Sequence, residues 1–227
     1  MNFLSHFYFE RFAIHSQRLV GALLPDLLKN VDKSYTFHPQ KSEEILFANP
    51  KTRQISEGWY RHVEVDKLFH GSEFFLEHCH QLRLQLQKPL AGLPIRPSFM
   101  AHIAIELLLD HLLIEQELVN VSRLYEHLEH ADRNSIRSYL KTIAVPDIEA
   151  FMKFYEDFIS WKYIFEYKDI NAISKPLFNI AKRIWQFETN ADQRMELTQV
   201  LIDYKAKELQ NFKVIYAYIQ DNMTYLS

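Results

Sequence analysis

Four glycines in 227 residues constrain this chain more than any other feature. Sandwiches and barrels turn often and use glycine to do so. Phosphate-cradling loops and dinucleotide fingerprints need several glycines close together. An all-β fold, a Rossmann fingerprint and a P-loop are therefore excluded as readings. Hydrophobic residues are 48% of the chain, enough for a buried core. The expected fold class is all-α, a single-domain helical bundle over residues 1–227.

Charge removes further classes. With 26 basic against 29 acidic residues, the formal net charge is −3, and a nucleic-acid partner is not expected. Cys79 is the one cysteine, so no internal disulfide forms. That fits a cytoplasmic location. Met1 to Arg11 lacks the basic start and cleavage site of a secretory signal. No uninterrupted apolar run reaches the roughly 20 residues that span a bilayer. The richest, Ile103 to Ile114, contains Glu106, Asp110 and His111. No membrane partner is expected.

Periodicity predicts helix after helix. Asn2 to Phe12 and Leu19 to Lys29 are apolar with helical spacing, the second disturbed by Pro25. Residues 30–51 hold Pro39 and Pro50 and read as a loop with one short helix. Thr52 to Leu86 reads as one long amphipathic helix, and Lys88 to Pro97 as a connection. Ser98 is the expected N-cap of a helix to about Asn120. Ser122 to Thr142, Asp147 to Lys168, Ile173 to Phe187 and Asn190 to Asn222 complete the helical pattern.

The informative residues are ionisable groups on apolar faces. In the helix from Thr52 the stripe runs Ile55, Trp59, Phe69, Leu76 and Cys79, and His62 and Asp66 fall on it four apart. A carboxylate on such a stripe is costly unless it is paired or holds a metal. From Phe99 to Ile114 the polar exceptions are His102, Glu106, Asp110 and His111. The first three form one seam at a spacing of four. His6 and Asp26 each interrupt an apolar run near the start. Blander readings stand beside these. His6 alone reads as a hydrogen-bonded core histidine, and Asp26, after Pro25, as a cap or exposed turn residue. His62 with Asp66 reads equally as a simple hydrogen-bonded pair. Imidazole and carboxylate are the ligands of Mn²⁺, Fe²⁺, Mg²⁺ and Zn²⁺ in hydrolytic sites, where the ion lowers the pKa of water and offsets phosphoryl charge. A single cysteine argues against a structural zinc site.

Four blocks resemble, in order, those of the acyl carrier protein phosphodiesterases. They are Met1-Asn2-Phe3-Leu4-Ser5-His6, Gly21 to Asn30 around Pro25-Asp26, Gly58-Trp59-Tyr60-Arg61-His62 through Asp66, and Glu106 through Asp110-His111-Leu112-Leu113. The resemblance covers roughly the first half of the chain. It implies a helical fold related to the HD phosphohydrolases, and hydrolysis of the phosphodiester joining 4′-phosphopantetheine to acyl carrier protein. It implies a divalent metal, commonly manganese. The matching residues are His6, Asp26, His62, Asp66, Asp110 and His111, with Glu106 in place of an Asp. All seven are candidate metal ligands. Asp66 and Asp110 are also candidate catalytic groups, with His70, or Lys67, placed to meet the leaving group. Lys29, Arg61 and Lys67 are the candidate docking patch for an acidic carrier protein.

The sequence also departs from the family. Val63 stands where the family has an Arg after the His, Phe69-His70 replaces Thr-Asp, and Ser72-Glu73 replaces His-Pro. Ile114-Glu115-Gln116 lacks the expected aromatic and basic residues. Losing an Arg near a phosphate removes a bidentate anchor. Two alternatives follow: a catalytically degenerate helical binding or scaffold protein, or an HD-type phosphohydrolase acting on nucleotides.

Overall fold

A computed structural model describes residues 1–224; the last three residues of the expected domain, 225–227, lie outside the described residues. The described residues form twelve α-helices and three short 3-10 helices, with no strand. Contacts group them into two compact units, each built from separated stretches of chain.

The first unit comprises Asn2–Asp66 and Val119–Ile164, with Thr224. It holds α1 (Phe3–Glu10), α2 (Ser16–Val31), α3 (Glu43–Phe47) and most of α4 (Pro50–His70). It also holds α7 (Val121–His130), α8 (Arg133–Thr142) and α9 (Ile148–Trp161). Helix α2 is its centre, packed on α1, α7 and α9. Leu19, Leu23, Leu24, Leu27 and Leu28 are all buried along it. Pro25 lies inside α2, and the helix continues through it. One ladder hydrogen bond is lost there, and the flanking leucines, buried on several sides, hold the geometry.

The second unit comprises Met1, Lys67–Leu118 and Phe165–Met223. Here α5 (Glu73–Gln85) packs on α6 (Pro97–Glu115). Helices α10 (Ser174–Lys182) and α11 (Ala191–Glu208) cover α6, and α12 (Lys213–Asn222) follows. By length and composition α6 could cross a membrane, but most of it is buried inside this unit.

Several expected helices are divided. Thr52 to Leu86 is two helices, because Ser72 caps α5 by accepting a hydrogen bond from the Phe75 N–H at 3.1 Å. Leu76, expected on the buried stripe, is consequently exposed. The stretch Ser122 to Thr142 breaks at Asp132, whose carboxylate accepts from the Asn134 N–H at 2.9 Å and starts α8. Helix α9 begins at the Asp147 cap, 2.8 Å from the Ala150 N–H, and ends at Trp161, where Lys162 turns left-handed at φ 50°. The expected helix to Lys168 continues only as a 3-10 turn. Asn190 and Gln193 form a capping box for α11, which stops at Glu208 before α12 begins. Pro97, not Ser98, opens α6; proline at the first helical position has no N–H to leave unpaired.

Candidate metal centre

The site begins with two glycines. A Cβ on Gly21 would overlap the Ile55 carbonyl oxygen, and one on Gly58 the Arg18 carbonyl oxygen. Helices α2 and α4 therefore approach backbone to backbone. This contact brings the α4 side chain of His62 onto the α2 backbone. The His62 Nδ1–H donates to the Ala22 carbonyl oxygen at 2.8 Å. That bond fixes the tautomer and leaves the Nε2 lone pair pointing away.

What the lone pair meets is acidic. His62 Nε2 lies 3.6 Å from Asp66 Oδ2 and 3.9 Å from Asp26 Oδ1. From α1, His6 Nε2 lies 3.3 Å from Asp66 Oδ1 and 4.0 Å from Asp26 Oδ2. The two imidazoles stack, with centroids 3.8 Å apart and planes at 16°. One ligand atom each from His6, His62 and Asp66 lies within 4.8 Å of the other two. Both histidines are buried, at 1% and 4% exposure, while Asp26 and Asp66 keep 26% and 32%.

His6 is the anomaly. Neither ring nitrogen has an aligned hydrogen-bond partner, although both are buried. Its contact with Asp66 is close but poorly directed. Burial, then the neighbouring His62 charge, hold its pKa down at about 3 against the pull of Asp66. At neutral pH it is an uncharged imidazole with a buried lone pair. Burial pushes the Asp66 carboxyl upward, but the approach of His6 and the two imidazole charges outweigh it, so Asp66 lies well below the usual carboxylate range. Buried polar atoms without partners are rare and call for a reason. A cation between the carboxylates would take up the lone pair of one His6 nitrogen, and the donor set suits a divalent ion.

Beside these groups the first unit has a cavity of about 350 Å³, lined by Lys29, Tyr35, Phe37, Trp59, His62 and Asp66 among others. Val63 also lines it. The position where the resemblance leads one to expect Arg thus faces this cavity without a charge. Lys29 is exposed, whereas Arg61 is largely buried and paired with Glu10 at 3.8 Å and Glu64 at 3.7 Å. Arg61 is therefore committed to internal pairs.

The other expected ligands take different surroundings within the second unit. Glu106 Oε1 lies 3.0 Å from His70 Nε2 and 3.2 Å from His102 Nε2, and this triplet is also close enough to share an ion. The Met1 ammonium lies 3.3 Å from the same oxygen. Asp110 is fully buried. His111 donates from Nδ1 to the Tyr167 carbonyl at 2.8 Å, but its Nε2 lies 3.3 Å from Lys205 Nζ. Burial, and after it the Lys205 charge, lower the His111 pKa despite nearby Glu115. Neither ligand grouping includes Asp110 or His111. Burial and then the Glu106 charge push the Cys79 thiol up to about 12, so it is no thiolate at neutral pH.

Sequence reasoning paired His62 and Asp66 as same-face neighbours and named Asp26 as a candidate ligand; only its alternative reading of Asp26 as a cap or turn residue fails. Asp26 lies inside α2. It also missed the pairing of His70 with His102 and Glu106, for which the His102–Glu106 spacing of four was the available signal. The chain matches no family model, no curated protein and no solved structure.

Proposed function

We propose that the chain is a divalent-metal-dependent phosphodiesterase, with His6, Asp26, His62 and Asp66 holding the ion. The observation that carries this reading is the pair of stacked, buried imidazoles facing two carboxylates, one of them with no aligned hydrogen bond at either nitrogen. Manganese is the first choice of ion, and the carboxylates and neutral imidazoles also accept Fe²⁺, Mg²⁺ or Zn²⁺. A bound divalent cation would offset charge on a phosphoryl oxygen and make water a stronger acid.

The chain's own groups do the rest. The Ala22 carbonyl orients His62, and the α2–α4 crossing fixes that orientation. Two carboxylates supply the charge that makes cation entry favourable. Trp59, Tyr35 and Phe37 give the cavity apolar walls against which a leaving arm can lie away from water. Lys29 is the cation on that wall and the candidate partner for a phosphate oxygen. The 4′-phosphopantetheine linkage of acyl carrier protein is the proposed substrate, on the block resemblance, and a relation to the HD phosphohydrolase fold is proposed on the same ground.

Val63 favours a second reading. An uncharged residue at the expected anchor position supports a member of the same family that has kept the ion and lost the substrate. The test is hydrolysis of a chromogenic phosphodiester and of holo-acyl carrier protein by protein loaded with Mn²⁺. Hydrolysis of the carrier, lost in Asp66→Asn, supports the first reading. Manganese binding with neither substrate turned over supports the second.

A further inference from the structure

The second unit carries a separate triplet with the ligand types of an open zinc site. His102 and Glu106 are one turn apart on α6, and His70 ends α4. Both imidazoles aim Nε2 at one oxygen, Glu106 Oε1, at 3.0 and 3.2 Å. The rings are stacked with centroids 5.0 Å apart and planes at 21°. Phe75 stands edge-on to both, 4.9 Å from each at 86° and 87°. One aromatic ring thus fixes the orientation of two ligands, the kind of support that preorganises a metal site.

Access is present too. His70 and His102 are 32% and 46% exposed, while Glu106 is only 15% exposed. His102 and Glu106 line a cavity of about 580 Å³ whose other walls include Arg96, Phe99, Ile184 and Trp185. Two histidines and one glutamate with a position left open form a recurrent zinc ligand set. The approach to that position is this cavity, mostly apolar with one guanidinium.

We propose that His70, His102 and Glu106 form a second metal site, selective for a Zn²⁺-class ion, distinct from the His6–His62 centre and not dependent on it. An entering dication displaces the Met1 ammonium from Glu106 and is held by two imidazoles oriented through Phe75.

The experiment titrates metal-depleted, full-length protein with Zn²⁺ by calorimetry, and with Co²⁺ by visible absorption to read ligand geometry. His102→Ala, Glu106→Gln and His62→Ala are compared with wild type, with circular dichroism to check the helices. His102 is half exposed, so its truncation leaves the core alone. A Zn²⁺ equivalent that weakens by roughly a hundredfold or more in His102→Ala and Glu106→Gln, and persists in His62→Ala, supports the site. It does so even if the His62 variant reveals no first-site loss, an outcome that counts against the phosphodiesterase centre alone. Zn²⁺ uptake identical in wild type, His102→Ala and Glu106→Gln overturns the proposal, as does no uptake that these two variants alter.

Discussion

His62 and His111 are anchored alike and end up doing opposite things. Each is buried and donates Nδ1–H to a backbone carbonyl at 2.8 Å, Ala22 for one and Tyr167 for the other. Each therefore presents Nε2 as a lone pair. For His62 that lone pair faces Asp26 and Asp66. For His111 it faces the Lys205 ammonium at 3.3 Å, and Lys205 is in turn 2.6 Å from Glu115. One lone pair faces two carboxylates and, among the described residues, no cation of the chain; the other faces an ammonium at 3.3 Å together with the Glu115 carboxylate at 3.5 Å. The lesson is that residue type and anchoring do not make a ligand. What differs is the chain cation in front of the lone pair: Lys205 for His111, and none among the described residues for His62.

The harshest way to break the first half of the comparison is Gly21→Ala. Its new methyl group meets backbone, which cannot rotate aside. Overpacking of this kind costs about 3 kcal/mol or more. Chemical denaturation should show that loss, and Mn²⁺ affinity should fall with it because His62 moves off Ala22. The His111–Lys205 pair belongs to the other unit and should keep its NMR signature.

Acid loads both regions next, through His6 in one and His111 in the other. His6 titrates at about 3 when folded and near 6.5 when unfolded. The unfolded chain thus binds the extra proton between those values, and metal-free protein loses stability as pH falls from 6.5 toward 3. The slope approaches about 1.4 kcal/mol per pH unit where His6 dominates. Asp66, held low, adds its loss only further down, below the ordinary carboxylate range. His6→Gln should flatten the upper part of this profile. His111 is also lowered, so His111→Gln should flatten it in the same direction. A profile unchanged by His6→Gln would contradict the buried neutral imidazole.

Lys205→Met is a smaller change that sharpens the contrast. It removes the cation in front of His111 and should cost about 1–2 kcal/mol, since Glu115 and His111 lose a charged hydrogen-bond partner. The His111 pKa should rise when the ammonium goes, measurable by NMR titration. Smallest of all is Asp147→Ala, about 1 kcal/mol from the lost cap of α9, with no change at either histidine.

The sequence made the helical class legible because glycine scarcity and periodicity agree. It hid the breaks at Ser72, Asp132 and Glu208 because the apolar stripes run on nearly in phase across them. Single capping side chains, each worth about 1 kcal/mol, make the first two of those decisions, whereas α12 starts after Glu208 with no side-chain cap. At the candidate site, the His62–Asp66 spacing was visible since both lie on one helix. Asp26 was legible as a candidate ligand, but Pro25 hid its helical setting by suggesting a turn where α2 in fact continues. The role of His111 was beyond any spacing argument, because Lys205 lies 94 positions away. Pairing across such a distance depends on tertiary packing alone.

Manganese uptake by metal-depleted protein, in wild type and in His62→Ala, tests the central claim most directly. One Mn²⁺ per chain in the wild type, lost when His62 is truncated and retained in His111→Gln, is the expected result. No Mn²⁺ in the wild type, or equal uptake with and without the His62 imidazole, would contradict it. The stacked histidines and their carboxylates would then be a core polar cluster with no ion to hold.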